Sequence, residues 1–440
     1  MTTTHRAALA LFLLALVIYN FPLAYDLLHK PFFTWAPGQD IASTTLLPVA
    51  LLERGEFSLD EYRDFYYRNW RSPYFIAEVN GTLVSRSPVA TAVLAVPFYG
   101  VPLGTGWLRR TGKAWLEFPW SAFFPGKFAA AFMTTLAVGM FFFCACRLTD
   151  ARSSVALTLA FAFGTSVWST GTTGLWTQAP SVLLQMIALW FLVRGRRLGA
   201  NAVAPAAFFF SAATVARPTN AIAAALFTGY ILIEYRAAFF KWIAWAIPPA
   251  LFMLAYNAAY NGSPFVFGYQ DGIAQYASLP QFEGILGLLI SPSRGVLVYS
   301  PFLIFAFAGL WFARREKEKW LYGFSALVIA ASVVMLAAFD WSGGWGYGAR
   351  LLVDGLPYWM LLLIPAWTRM GNGARGAFWV MVAYAALFQS FGLWDYGNRW
   401  HWHWENYAFN VWDLSRSEPL FYLQQYIEMA QHYLRVYIFR

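Results

Sequence analysis

One carboxylate and five cations stand out by where they fall in the chain. Asp40 lies in the run from Trp35 to Ser58, directly after the first strongly apolar segment. Lys127 opens a second long apolar run. Arg86, Arg217, Arg294 and Arg350 each sit in a polar break between apolar runs, beside Ser, Pro, Asn or Gly. A carboxylate placed beside a hydroxyl accepts its proton or orients it. Arg offers phosphate a bidentate fork and Lys a point charge. Preorganised donors of this kind stabilise an anionic leaving group. In the run Trp341-Ser-Gly-Gly-Trp345-Gly-Tyr347-Gly-Ala-Arg350, glycines admit close backbone approach and the aromatic rings offer flat faces for stacking. Trp345, Tyr347, Tyr269, Gln178 and Asp354 are the expected lining of such a site. Blander roles stand beside these: Asp40 as a helix cap, Arg217 as an interfacial cation that snorkels, and Asp354 as an ion-pair partner of Arg350 four residues earlier.

The elements that must position these groups are membrane helices. The chain is 59% hydrophobic and 12% charged, against about 25% charged in soluble domains, and its mean hydropathy is +0.47. Apolar runs of near-spanning length recur, continuous rather than alternating, which excludes a β-barrel. The net charge of +9 is scattered over loops, which argues against a nucleic-acid surface. The two cysteines, Cys144 and Cys146, point to different faces of one helix, so neither a disulfide nor a metal site is expected.

Read in order, the first span covers about Ala7 to Leu28 and is expected to be uncleaved. With Arg6 inside, the chain exits to the outer face. A long outer loop, 29–126, follows. Within it, Leu46 to Leu52 is expected to lie on the lipid as an amphipathic helix. Val89 to Val101, broken by Pro97, is expected to be re-entrant or surface-lying, with a full span as the alternative. Further spans are expected at 128–146, 155–170, 183–193, 204–215, 221–233, 242–256, 296–312, 321–338, 352–364 and 378–393, with a second outer loop at 257–295. That makes eleven spans in one module, 1–393. Every short loop placed inside then carries Lys or Arg. The remainder, 394–440, is expected to be an outer-face segment ending in an interfacial helix. Outer loops are long and carry carboxylates, aromatics and glycines, so a functional site is expected on the outer face.

The order of Asp40, the helical run Leu46 to Leu52, Ser85-Arg86-Ser-Pro88 and Lys127 resembles the GT-C superfamily of membrane glycosyltransferases, which includes protein O-mannosyltransferases and the lipid A aminoarabinose transferase. Ser85 to Pro97, Arg217-Pro-Thr-Asn220, Ser291 to Pro301 and Gly343 to Asp354 look like poorly characterised bacterial relatives. Mannosyltransferases carry an adjacent acidic pair where this chain has a lone Asp40. The resemblance implies an all-α polytopic GT-C-like fold in a bacterial cytoplasmic membrane. It also implies inverting transfer of a sugar from a polyprenyl-phosphate donor to a glycan, lipid or protein acceptor. Asp40 would be the base, and Lys127, Arg350, Arg294, Arg86 and Arg217 would hold the phosphate. A divalent cation is left open. A flippase of a lipid-linked sugar and an envelope-assembly scaffold are the rival classes.

His401, His403 and Glu405, set among Trp400, Trp402 and Trp404, suggest metal ligation at first sight. No third strong ligand is evident, and an aromatic interfacial segment is the expectation. Asn80-Gly-Thr82 and Asn261-Gly-Ser263 match a glycosylation pattern that is common by chance.

Overall fold

The computed structural model describes residues 3–29, 39–71, 73–113, 116–268, 278–394, 399–403 and 411–437. Of these, the side chains of Thr3, Gln39, Asp40, Arg196, Trp394, Trp402, Tyr433, Leu434, Val436 and Tyr437 lie outside the description. The chain is a polytopic all-α membrane protein. Its helices of two turns or more outside residues 63–69 are α1 (Thr3–Leu28), α2 (Gln39–Arg54), α3 (Val89–Gly104), α4 (Phe123–Leu148), α5 (Ala151–Gly164), α6 (Gln178–Leu198), α7 (Ala206–Ala216), α8 (Ala221–Glu234) and α9 (Phe239–Tyr260). They continue as α10 (Phe282–Ile290), α11 (Phe305–Ala313), α12 (Lys319–Leu336), α13 (Leu356–Trp367), α14 (Asn372–Trp394) and α15 (Glu418–Tyr437). Among the described residues, five helical stretches are long and apolar enough to cross a bilayer: Thr4–Leu28, Trp120–Leu148, Arg236–Tyr260, Lys319–Leu336 and Asn372–Leu393. Each remaining apolar segment of the sequence is also helical, in shorter pieces.

The basic turns meet one another. Lys241 Nζ donates to Asn201 Oδ1 at 2.7 Å, and Arg369 pairs with Glu316 at 2.5 Å. The first contact joins α9 to the turn before α7, and the second joins the turns before α12 and α14.

Three expectations change. The helix containing Leu46 to Leu52 does not lie on lipid. From Ile41 to Ala50 every residue of α2 is buried, Ser43, Thr44 and Thr45 included. It packs on α3, α4 and the strand Thr82–Ser85, which leaves only its last turn, from Leu52, exposed. Residues 89–104 form one continuous helix despite Pro97 and Pro102. At 1.5 Å per residue it is about 24 Å long, short of the ~30 Å hydrocarbon core, and Val89, Ala92, Ala95 and Tyr99 bury one face. The expected span 296–312 is broken. One turn (Val296–Tyr299) gives way to a 3-10 segment (Pro301–Ile304) before α11. Ser300, preceding Pro301, leaves the helical region at φ −141° and ψ 65°, as the proline ring demands, and its hydroxyl donates to Gly164 O at 2.7 Å.

A β-hairpin interrupts the all-helical pattern. Ile76–Val79 pairs antiparallel with Thr82–Ser85, closed by Asn80 (φ 51°) and Gly81 (φ 82°), the residue pair that a two-residue primed turn favours. The hairpin is capped by Asp60. Its Oδ1 accepts the Leu83 N–H at 2.9 Å and pairs with Arg63 at 2.8 Å. Burial alone would raise the Asp60 carboxyl, but bonds from Ser58, Leu83 and Arg63 outweigh it and hold it below the usual carboxylate range. Glu53 pairs with Arg109 and Glu61 with Arg54.

Candidate active site

The turn Gly174–Gln178, between α5 and α6, is where the expected groups converge. Thr44 of α2 donates to Leu175 O at 2.9 Å. Ile41 Cδ1 approaches to 2.6 Å of where a Cβ on Gly174 would be, so this glycine is the room α2 needs. Asp40 is the second residue of α2 and precedes Ile41 directly. Its backbone therefore enters at this turn, while its side chain is outside the described residues. A Cβ on Gly126 would lie 3.4 Å from Leu175 Cβ and 3.5 Å from Thr45 Oγ1, which brings the head of α4, with Lys127, to the same place. The Arg350 guanidinium lies over the Trp176 ring, 5.5 Å from its centroid. Arg217 Nη1 donates to Thr177 Oγ1 at 3.2 Å. Gln178 is buried at the start of α6. Tyr269 lies outside the described residues.

Two of these cations meet acids, one of which, Asp26, the sequence reading did not single out. Lys127, 4% exposed, pairs with Asp26 of α1 at 3.3 Å. Asp26 Oδ1 is buried with no hydrogen-bond partner among the described residues. A single charge within the apolar run from Ala7 to Leu28 was the available signal. Arg217 Nε pairs with Asp354 Oδ2 at 2.7 Å, so Asp354 serves Arg217 and not Arg350 as its ion-pair partner. Asp354 Oδ1 accepts from Ser181 Oγ at 2.5 Å. Asn220 Nδ2 donates to Ser181 Oγ at 2.7 Å, Gln185 Nε2 donates to Asp354 O at 3.2 Å, and Tyr358 donates to Gln185 Oε1 at 2.6 Å. Thr177, Ser181 and Gln185 recur every four residues, the spacing of one helix face; this was a legible signal. The network borders a cavity also lined by Ser332, Met335 and Leu336.

Arg294 is committed to the protein. It is 3% exposed. Its Nη1 pairs with Glu418 Oε2 at 2.6 Å, its Nε donates to Ser342 O at 2.5 Å, and its Nη2 lies 2.9 Å from His401 Nε2. Burial raises the Glu418 carboxyl, opposed by Arg294, the Gly348 N–H and Tyr299. Burial, with the charges of Arg294 and Arg350, pushes His401 down to about 2. His401 is thus held neutral, and its Nε2 faces the Arg294 guanidinium as an acceptor.

Arg350 Nε donates to Gly343 O at 2.8 Å. Trp345, 43% exposed, stacks on His401 with centroids 5.5 Å apart. Tyr347 is buried, its ring edge-on to Tyr299, so it supports the glycine-rich turn from behind and does not face an open site. Arg86 is half-buried, and its Nε has no partner among the described residues. Its neighbour Ser87 accepts a hydrogen bond from Ser43 of α2 at 3.2 Å, three residues from Asp40. Among the described residues no three His, Cys, Asp or Glu side chains converge.

No family model and no curated protein matches the chain. Among solved structures it is similar to ArnT from Cupriavidus metallidurans in the apo state, with a TM-score of 0.54 at 14% identity over 86% of this chain. The chain spans 63% of the length of that structure. Likeness at this level is one of fold, and the fold is the GT-C type that the sequence resembles.

Proposed function

We propose that this chain is a multi-pass membrane glycosyltransferase. It transfers a sugar from a polyprenyl-phosphate donor at the outer face of a bacterial cytoplasmic membrane, by direct inverting displacement onto a hydroxyl of a glycan, lipid or protein acceptor. The observation that carries the reading is the convergence at Gly174–Gln178. The start of α2, the head of α4, Arg350 and Arg217 reach it from four distant parts of the chain. Asp40 is the base that takes the acceptor proton. Arg350 and Arg86 hold the departing phosphate, while Lys127 and Arg217, paired with Asp26 and Asp354, fix the geometry beside them. Arg294, whose donors already serve Ser342, Glu418 and His401, shapes the turn instead of touching phosphate. Trp345 offers an exposed ring for the sugar. The GT-C fold shared with ArnT supports the choice of a transferase over a flippase.

The test is reconstitution with a radiolabelled polyprenyl-phosphate sugar, reading release of free polyprenyl phosphate. Asp40→Asn is expected to abolish release with folding intact. Undiminished release in that variant removes Asp40 from the mechanism. Flipping of the lipid without release by the native protein would establish the flippase instead.

A further inference from the structure

The C-terminal stretch reads in the sequence as an aromatic segment outside the bundle, and the proposed chemistry does not use it. Its described part is nevertheless tied to the glycine-rich turn that carries Arg350. Glu418, 1% exposed at the head of α15, accepts three hydrogen bonds through one oxygen: from Arg294 Nη1 at 2.6 Å, Tyr299 Oη at 2.9 Å and the Gly348 N–H at 2.8 Å. Its own N–H donates to Ser293 Oγ at 3.1 Å. Ser293 N–H donates to Val411 O at 3.3 Å, so the attachment begins before the helix.

Arg294 extends the contact to the other side of the turn. It donates to Ser342 O and Gly344 O, and its guanidinium faces His401 and the Trp400 ring, 5.2 Å from the centroid. The turn is thus gripped at Ser342 and Gly344 by Arg294 and at Gly348 by Glu418. Between those grips Gly343 O accepts from Arg350 Nε. A glycine-rich turn with positive φ at Gly343, Gly344 and Gly348 has little rigidity of its own, and two buried charged clamps supply it.

We infer that Glu418 is a positioning residue: through Arg294 and the Gly348 amide it fixes the 342–348 turn and so holds the Arg350 guanidinium over Trp176 in the candidate site. The role of Arg350 rests on the proposed function; the clamp on the turn does not. Amide exchange of residues 342–350 is to be measured on the full chain in nanodiscs. The variants are Tyr299→Phe, Glu418→Gln and the apolar pair Arg294→Met/Glu418→Met, which removes the charges together and avoids stranding either one. The double variant is expected to unfold within a few degrees of the native protein yet exchange at least tenfold faster at 342–350 alone. Tyr299→Phe, which removes one donor and no volume the core needs, is expected to give a smaller local rise of about threefold. Unchanged exchange at 342–350 in all three overturns the inference, as does a rise spread evenly over the bundle.

Binding of undecaprenyl phosphate supplies the second arm. Glu418→Gln is expected to weaken it about tenfold in the native background and not at all on top of Arg350→Ala. Equal weakening in both backgrounds means that Glu418 does not act through Arg350. A native protein that ignores undecaprenyl phosphate while the exchange result stands refutes the lipid-phosphate reading and leaves the clamp in place.

Discussion

Replacing Arg217 by Met removes the guanidinium from a carboxylate that has nowhere else to turn. Asp354 lies 2.7 Å from Arg217 Nε, and the two side chains are 13% and 14% exposed. What remains for the carboxylate is the Ser181 hydroxyl, itself already bonded by Asn220. Stranding one partner of a buried pair costs 3–5 kcal/mol, and slight exposure places this case near the low end, at roughly 3 kcal/mol. Removing both charges, as Arg217→Met with Asp354→Asn, keeps the Ser181 bond and leaves no bare ion. The double variant is expected within about 1 kcal/mol of the native protein, giving a coupling near 2 kcal/mol or more. The assay is reversible unfolding of the full chain in mixed micelles with increasing SDS, on the native protein, both single variants and the double. A cost below about 1 kcal/mol for Arg217→Met, or additive effects in the cycle, refutes the claim that this network is a closed and buried polar unit.

Asp26→Asn strands Lys127 in the same way and is expected to cost about 3 kcal/mol; adding Lys127→Met should restore most of it in the same unfolding assay. His401 titrates at about 2 in the fold against roughly 6.5 in the unfolded chain. The unfolded chain therefore takes up the proton first: stability is full above about pH 6.5 and declines as pH falls toward 2. The loss between pH 7 and pH 5 is about 2 kcal/mol; unfolding titrations should show it, and His401→Gln should flatten it. Arg86→Lys removes a fork whose Nε the described fold does not use. It is expected to weaken undecaprenyl phosphate binding by about tenfold, the value of a charge-assisted hydrogen bond, with unfolding unchanged; isothermal titration of the reconstituted protein decides it.

The membrane class and the helix positions were legible because hydrophobicity and charge bias are local properties of the chain. Lys127, Arg217, Arg350 and Gln178 were legible as polar groups at the edges of apolar runs; Arg217, Arg350 and Gln178 meet at one turn, while Lys127 turns to Asp26. Their acid partners were harder. Asp354 paired with Arg350 by helical spacing, but residues 350–355 form a 3-10 segment, which breaks the four-residue register and leaves Asp354 to Arg217. Glu418 meets Arg294 across 124 positions, and nothing local marks that encounter. The burial of α2 was misread for a related reason. Ser43, Thr44 and Thr45 are polar, but they are enclosed inside the module, so polarity in the sequence did not report exposure. The Asn80-Gly81 turn carried a usable hairpin signal, flanked by Ile76–Val79 and Thr82–Ser85, that the all-helical expectation overrode.

The pairing of acids with cations bears on how an anionic lipid would enter. Lys127 faces Asp26, Arg217 faces Asp354 and Arg294 faces Glu418, each within 3.3 Å. A phosphate brought to any of these cations must displace a carboxylate or share the cation with it, and the bared carboxylate would then remain in a poorly solvated place at a cost of several kcal/mol. These pairs therefore set geometry more readily than they supply affinity. Affinity is assigned instead to Arg350, bonded to the Gly343 carbonyl and seated on Trp176, and to Arg86, beside the start of α2. Both lie on polypeptide that is not regular helix, one on a glycine-rich turn and one just beyond a hairpin. The buried pairs anchor α1, α4, α7 and α15 around them. On this division of labour, a substitution in a pair is felt first as stability, and a substitution at Arg350 or Arg86 is felt first as binding.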